Sequence, residues 1–258
     1  MGSVNVFILI FSALVISAIA IIWFLRKVWF YRNPNHSNTP QTHDSVLSPV
    51  YGIVAYVKKI QDGFVICEKK GESIPITEIT KSDWPSEESK GEGWLIGIAM
   101  TALDVHYQYS PLPAQIEKIE HIPAKTNLPM FDLWEYVRIT WFRRLIQLFG
   151  KKYLFRNERQ VMWLQGNRIK LGLVLIADKF VNKITTFVAP GDMVPAGGKL
   201  SFIGRGSQVD VVVCGVPELQ VLVLPGDKVK GPDTILARVP EISSKQEKVV
   251  SVAEFGRI

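Results

Sequence analysis

The apolar positions of this chain follow three different rhythms. Val6 through Leu25 is an uninterrupted run of 20 residues without a charge. At about 1.5 Å of rise per residue it forms a helix of about 30 Å, the thickness of a bilayer core. From Ser48 onward the apolar residues come in short runs rich in Val and Ile. Gly52–Val57, Gly63–Cys67 and Trp94–Met100 read as strands, and Gln61-Asp62 marks a hairpin between the first two. Residues 132–152 differ again. Phe142, Leu145, Ile146 and Phe149 recur at i, i+3, i+4 and i+7, which predicts one face of a helix. Arg138, Arg143, Arg144, Lys151 and Lys152 lie on or beside its other side, and Trp134, Tyr136 and Trp141 add interfacial aromatics. The segment predicts an amphipathic insertion, docked on the sheet or lying in the headgroup layer of a membrane. The C-terminal third returns to strands, and Phe202–Val213 is the longest of these runs.

Composition sharpens the N-terminal reading. Met1–Asn5 has no basic side chain, which argues against a cleaved secretory signal, and a core helix of this length would show a polar face. Val6 stands where a myristoylation motif wants Ser or Thr. The run therefore predicts a retained single-pass anchor over residues 1–32. Arg26, Lys27 and Arg32 follow it, which places the body of the protein on the cytoplasmic side. The formal net charge is +6. For an anchored chain this points to an anionic membrane surface rather than to nucleic acid. Cys67 and Cys214 sit in strand-like runs and are expected as core thiols. His36, His43, His106 and His121 have no metal-ligand spacing, so no metal site is expected.

The organisation predicted is an anchor with basic flank (1–32), a polar linker (33–47), a β domain (48–240) with the insertion at about 132–152, and a polar tail (241–258). Residues 81–93 are expected as a charged surface loop. Inside the β domain there is a weak repeat. Val188-Ala-Pro-Gly-Asp-Met-Val194, with Gly197 after it, matches Leu224-Pro-Gly-Asp-Lys-Val229, with Gly231 after it. Pro-Gly-Asp makes a tight turn between strands in each copy. Together with Ser48-Pro-Val-Tyr-Gly52, these hairpins resemble those of lipoyl- and biotinyl-type barrel-sandwich domains, without the lysine-bearing tip of the true carriers. The fold class expected is mainly β and barrel-sandwich-like, with few helices.

Several separated motifs then stand in one order: Trp29-Phe-Tyr-Arg-Asn-Pro34, Ser48-Pro49 with Gly52, Leu103-Asp-Val-His106, Ile122-Pro123, Asn157-Glu-Arg159, Gly191-Asp192 and Gly206-Ser207-Gln-Val-Asp210. In this order and at this spacing the chain resembles the phosphatidylserine decarboxylases, in particular their short, membrane-anchored bacterial and archaeal type. The resemblance covers nearly the whole chain outside residues 130–152. It implies self-cleavage between Gly206 and Ser207, with Ser207 becoming a pyruvoyl group that serves as cofactor and electron sink for loss of CO₂. It implies His106 as the general acid that returns a proton to the carbanion. It also implies a serine phospholipid as substrate, and a homodimer.

Two positions depart from the family pattern. The Ser-Pro-x-Asp-Gly of the family supplies an aspartate that helps activate the serine, and here Tyr51 occupies that place. A neutral phenol is a poor base near pH 7. Longer members carry a second histidine three residues after the first, and here that place is Tyr109. Asp44, the nearest upstream carboxylate, lies in the linker and is not expected to substitute. The reading is a membrane-associated decarboxylase that converts phosphatidylserine to phosphatidylethanolamine. The alternative is an uncleaved, inactive relative that binds phospholipid or a partner at the membrane.

Overall fold

The computed structural model describes residues 2–36, 39–40, 43–67, 71–83, 92–142, 146–179, 184–204 and 207–240. Helix α1 (Gly2–Phe24) continues into a π-helical turn over Leu25–Trp29. Asn5–Trp29 is long and apolar enough to cross a membrane, and its most apolar stretch is not buried by the described residues. Strands β1 (Ser45–Leu47), β2 (Gly52–Gln61), β3 (Phe64–Cys67) and β4 (Glu72–Pro75) lead to α2 (Ile76–Thr80). Then come β5 (Gly93–Met100), β6 (Tyr107–Tyr109), β7 (Ala114–Ile122), α3 (Leu133–Thr140) and α4 (Tyr153–Arg156). The remainder is strand: β8 (Arg159–Gln165), β9 (Lys170–Ala177), β10 (Ile184–Thr186), β11 (Met193–Val194), β12 (Lys199–Ile203), β13 (Ser207–Cys214), β14 (Gln220–Val221), β15 (Lys228–Val229) and β16 (Ile235–Arg238). The protein is mainly β, as its sequence predicts.

One large antiparallel sheet runs β11-β7-β8-β9-β13-β5-β2-β3-β4, with β15 also paired to β2. Two small sheets, β1-β16-β14 and β10-β12-β6, complete the fold. Strand β13 lies near the middle of the large sheet, and every one of its residues is buried. Burial on both faces explains the Val211–Val213 run in its second half. Val209, Val211 and Val213 face one apolar cluster, while Val212 and Cys214 face the other. Cys67 and Cys214 are free, buried thiols, as expected.

The weak repeat is a structural one. In each copy the aspartate of Pro-Gly-Asp closes its turn on a backbone amide: Asp192 Oδ2 accepts from Ala189 N and Asp227 Oδ2 from Leu224 N, both at 2.8 Å. The glycine amides then bond equivalent strands, Gly191 N to Ile116 O at 2.7 Å and Gly226 N to Val54 O at 2.8 Å. The segments leading into those strands match as well. Ser48 Oγ donates to Val50 O and Ser110 Oγ to Leu112 O, each at 2.7 Å. These segments also bond each other reciprocally, Leu47 N to Pro111 O and Tyr109 N to Pro49 O, each at 2.8 Å. The small sheets β1-β16-β14 and β6-β12-β10 are the two copies of one unit. Only the copy containing β6 is preceded by Asp104-Val-His106.

Three local expectations are corrected. The β2–β3 turn is Asp62-Gly63, not Gln61-Asp62, because both central residues adopt left-handed conformations (φ 51° and 77°), which Asp-Gly accommodates. The 132–152 segment is not one helix. Helix α3 starts with a capping box, Asp132 Oδ1 accepting from Glu135 N at 2.7 Å, and ends at Thr140. Of the expected face, the described residues Phe142, Ile146 and Phe149 are not helical. Ile146 and Leu148 are drawn into the core instead, Phe142 stays exposed, and residues 143–145 lie outside those described. Finally, the stretch read as linker contains β1, whose three residues are buried against β16. The 84–91 part of the expected surface loop and the 241–258 tail lie outside the described residues.

Candidate active site

The ladder of the large sheet brings the predicted residues to one end. Ser207 is the first residue of β13 and pairs with Met100 on β5 and Ala177 on β9. On the far side of β5, Ile53 pairs with Ala99, so Tyr51 leads into β2 at the same end. One strand separates Tyr51 from Ser207, and two inter-strand spacings amount to about 10 Å. Asp104 and His106 come from the loop between β5 and β6. The His106 carbonyl accepts from Ile203 N, four residues before Ser207, at 3.2 Å and from Gln108 Nε2 at 2.9 Å. The expected cleavage partner Gly206, with Arg205, lies outside the described residues.

Ser207 is fully buried, and among the described residues its hydroxyl donates only to the thioether Sδ of Met100, at 3.3 Å. A sulfur acceptor is weak, so the hydroxyl is held lightly. His106 is fully buried too. Among the described residues, neither of its ring nitrogens has a hydrogen-bond partner of normal geometry. Burial pushes its pKa down to about 4, and the Arg32 guanidinium adds to this, while the Asp104 backbone opposes it. The imidazole is therefore neutral at pH 7. Asp104 plays a structural role. Its Oδ2 accepts from Thr101 N at 2.8 Å and Thr101 Oγ1 at 2.7 Å, which fixes the loop that carries His106.

The segment after the anchor lies across this site. The Phe30 ring packs tilted against His106 with centroids 4.0 Å apart, and Tyr31 stacks on Phe202 at 5.3 Å. Two donors tie the segment to one carbonyl, Leu103 O: Trp29 Nε1 at 3.2 Å and Arg32 Nη2 at 2.6 Å. The Arg32 guanidinium also sits 4.1 Å from the Trp29 ring centre. Tyr109 Oη donates to Asn33 Oδ1 at 3.1 Å. By sequence these residues read as a basic membrane flank. The Trp29-Phe-Tyr-Arg-Asn-Pro34 motif is visible there, but nothing in it says that Phe30 covers His106.

Tyr51 is half-buried. Burial and the Asp233 carboxylate raise its pKa, with Arg32 opposing, so it remains a phenol at neutral pH. Tyr109 is raised further, again mainly by burial. Asp44 is engaged elsewhere, accepting from Arg168 Nη1 at 2.8 Å. Among the described residues, no group of three or more His, Cys, Asp or Glu side chains could hold a metal ion.

A second polar cluster lies on the opposite face of β13. Asp210 is fully buried and accepts from Tyr56 Oη at 2.7 Å and from Gln208 Nε2 at 2.6 Å. Gln208 Oε1 in turn accepts from Tyr153 Oη at 2.6 Å. Burial pushes the Asp210 pKa up to about 7, against the lowering effect of these hydrogen bonds and of Arg159. Tyr56 reaches Asp210 across β5 because Gly97 stands between them in the ladder. A Cβ at Gly97 would lie 2.3 Å from Tyr56 Cζ. Gly97→Ala must displace the ring and break the Tyr56–Asp210 bond. Overpacking plus an unpaired buried carboxyl should cost about 3 kcal/mol in urea unfolding. A change below about 1 kcal/mol would show that the ring has another place to go.

Comparison with known proteins agrees with this architecture. The family described as phosphatidylserine decarboxylase matches residues 23–237. The phosphatidylserine decarboxylase proenzyme of Novosphingobium aromaticivorans is 26% identical over 219 residues, covering 82% of this chain and 71% of its own. That of Carboxydothermus hydrogenoformans is 24% identical, covering 84% of this chain and 81% of its own. The putative archaetidylserine decarboxylase proenzyme of Methanocaldococcus jannaschii is 26% identical, covering 83% and 89%. With the family pattern extending over most of the chain, and its strands and loops meeting at one end of the sheet, this protein belongs to the phosphatidylserine decarboxylase family.

Proposed function

We propose that this chain is a membrane-anchored carboxy-lyase that cuts itself between Gly206 and Ser207 and then decarboxylates a serine phospholipid. The observation that carries the reading is His106. It is a buried, neutral imidazole whose two nitrogens have no hydrogen-bond partner of normal geometry among the described residues, on a loop bonded beside the approach to Ser207. Leaving buried polar atoms unpaired is costly, and such atoms concentrate where a ligand is received.

In self-cleavage, Ser207 Oγ loses its proton and bonds to the Gly206 carbonyl carbon. The C–N bond then breaks, and the nitrogen of residue 207 takes a proton. Loss of the Ser207 α-proton expels the Gly206 carboxylate and leaves a dehydroalanine. Water converts this to a pyruvoyl group and releases ammonia. Ser207 fits such a conversion, because its hydroxyl gives up only a weak contact to Met100 Sδ. The pyruvoyl group supplies the electron sink for loss of CO₂. His106, positioned by the Asp104–Thr101 bonds and by Phe30 and neutral at rest, would take up a proton shed by the substrate ammonium group as it condenses and deliver it to the carbanion.

The membrane supplies the substrate. Helix α1 would anchor the chain, and Lys27 and Arg32 behind it favour the cytoplasmic side. Trp134, Trp141 and Phe142 are exposed beside Arg138 and would rest among anionic headgroups. The test is CO₂ release from vesicles containing phosphatidylserine, with archaetidylserine vesicles as a second arm. His106→Ala should lower turnover by about 10²-fold or more while still allowing the chain to cleave. Undiminished turnover in His106→Ala would remove it from the reaction. Tyr51 favours a second reading, an uncleaved phospholipid-binding relative, since a protonated, half-buried phenol cannot replace the missing carboxylate as a base.

A further inference from the structure

Three consecutive aromatic residues follow the anchor, and they do not face the same way. Trp29 and Tyr31 are 39% and 54% exposed, whereas Phe30 between them is 8% exposed. The Phe30 ring turns inward onto His106, with centroids 4.0 Å apart and planes tilted by 34°, and it meets Phe202 edge-on at 5.6 Å. At that separation and tilt Phe30 covers the face of the imidazole rather than the edge that carries its nitrogens. The ring is held from both sides. Phe30 N donates to Leu25 O at 3.0 Å, which joins it to the π-helical turn at the end of the anchor. On the other side Arg32 Nη2 donates to Leu103 O at 2.6 Å, three residues before His106. The strap is thus bonded to the same loop that carries the imidazole.

The charged groups facing His106 among the described residues are Arg32, from the strap, and Asp104, whose carboxylate is committed to Thr101. Strand β12 contributes only the Phe202 ring, at 6.5 Å, and the Ile203 amide, which donates to the His106 carbonyl. Tyr107, next in the chain, packs its ring on Phe202 at 5.0 Å. A buried imidazole stays neutral because its charged form is kept from water. The group that excludes water therefore governs its protonation. Removing the Phe30 ring would open a space bordered by two nitrogens without partners of normal geometry, and a cavity with polar walls takes in water.

We propose that Phe30 is a positioning residue of the active site: held by the strap behind the anchor, its ring keeps water from His106 and fixes the plane in which the imidazole meets the substrate. The proposal rests on the reading of His106 as the residue that carries a proton to the carbanion. It makes the end of the membrane-spanning helix part of the site, because the backbone runs from that helix to Phe30 without a break.

The test is an NMR titration of the full-length Ser207→Ala chain in lipid nanodiscs, with labelled histidine. The His106 signal, one of four, is assigned by its loss in His106→Gln. Titration over about pH 4.5 to 7.5 spans the ordinary imidazole range. The unmodified ring should stay neutral throughout, since its midpoint lies at about 4. Phe30→Ala should raise that midpoint by about 1 to 2 pH units, into the window. Phe30→Val should raise it less, and Phe30→Leu, which refills most of the space, should leave the ring neutral. The order of Val and Leu decides the matter even where Phe30→Ala does not fold. In the cut protein, the acid limb of kcat for CO₂ release from phosphatidylserine vesicles should move up with the midpoint, with KM little altered. A His106 midpoint that stays below the window in both Phe30→Ala and Phe30→Val overturns the proposal. So does an equal rise in Phe30→Val and Phe30→Leu, which would mark general loosening. Absence of CO₂ release from the unmodified protein defeats the decarboxylase reading instead, and the titration still decides whether Phe30 excludes water.

Discussion

On a Ser207→Ala background, which keeps the chain intact, Asp210→Asn should make stability climb with pH, whereas His106→Gln should make it fall. The two buried groups pull in opposite directions. Asp210 has a folded pKa of about 7, above the value of about 3.9 for an unfolded aspartate. Between those limits the folded state binds the proton and the unfolded state does not, so stability is lost as pH rises from about 4 to about 7. At about 1.4 kcal/mol per unit the loss is on the order of 4 kcal/mol. His106 has a folded pKa of about 4, below its ordinary 6.5. Here the unfolded state binds the proton first. Stability is gained as pH rises from about 4 to about 6.5, on the order of 3 kcal/mol.

Present together, the two contributions oppose each other across that window. Removing Asp210 leaves the His106 gain, and removing His106 leaves the Asp210 loss. Urea unfolding in detergent micelles at pH 4.5, 5.5 and 6.5 reads this directly. The quantity compared is each variant minus the parent, so groups common to all three drop out. Parallel curves for the three proteins would mean that the two side chains are hydrated, and that the sealed faces of β13 are open to water.

Much of the architecture is legible in the sequence because it depends on local pattern. The strands β2, β5 and β13 follow from dense runs of β-branched residues. The Pro-Gly-Asp repeat marks the two copies of the small unit, since a tight turn needs those residue types wherever it occurs. Ser207 at a strand start and His106 at a loop end are both accessible as motifs. What escapes is set by long-range contact. Tyr56 and Asp210 are 154 positions apart, and only the ladder through Gly97 unites them. Phe30 and Arg32 read as membrane flank because their chemistry suits an interface; nothing local says that Phe30 packs on His106. His36 lacks ligand spacing in the sequence, yet its partners Tyr51, Tyr109 and Asp233 arrive from three other segments. The 142–149 period fails for a related reason: Ile146 and Leu148 are worth more in the core than on a helix exposed to water.

The second large effect concerns the chain itself. If Ser207 is activated, the precursor divides completely, and Ser207→Ala must stop the division, because no other group can supply the attacking oxygen at that bond. This is an all-or-none difference in covalent structure, and it does not depend on which phospholipid is the substrate. Strand β13 begins at Ser207 and stays paired to β5 through seven further residues, with β9 on its other side, so the two pieces should remain associated until denatured. Cleavage would therefore be invisible in a native preparation.

The decisive measurement is a denaturing gel with intact-mass spectrometry on protein purified from membranes, beside the Ser207→Ala variant. Two pieces are expected, residues 1–206 and 207–258, the second lighter by one ammonia than the same piece with an amino-terminal serine, and a single uncut chain for the variant. One full-length species with an intact Ser207 in the unmodified protein would contradict self-cleavage, and would leave the uncleaved, lipid-binding relative as the reading of this protein.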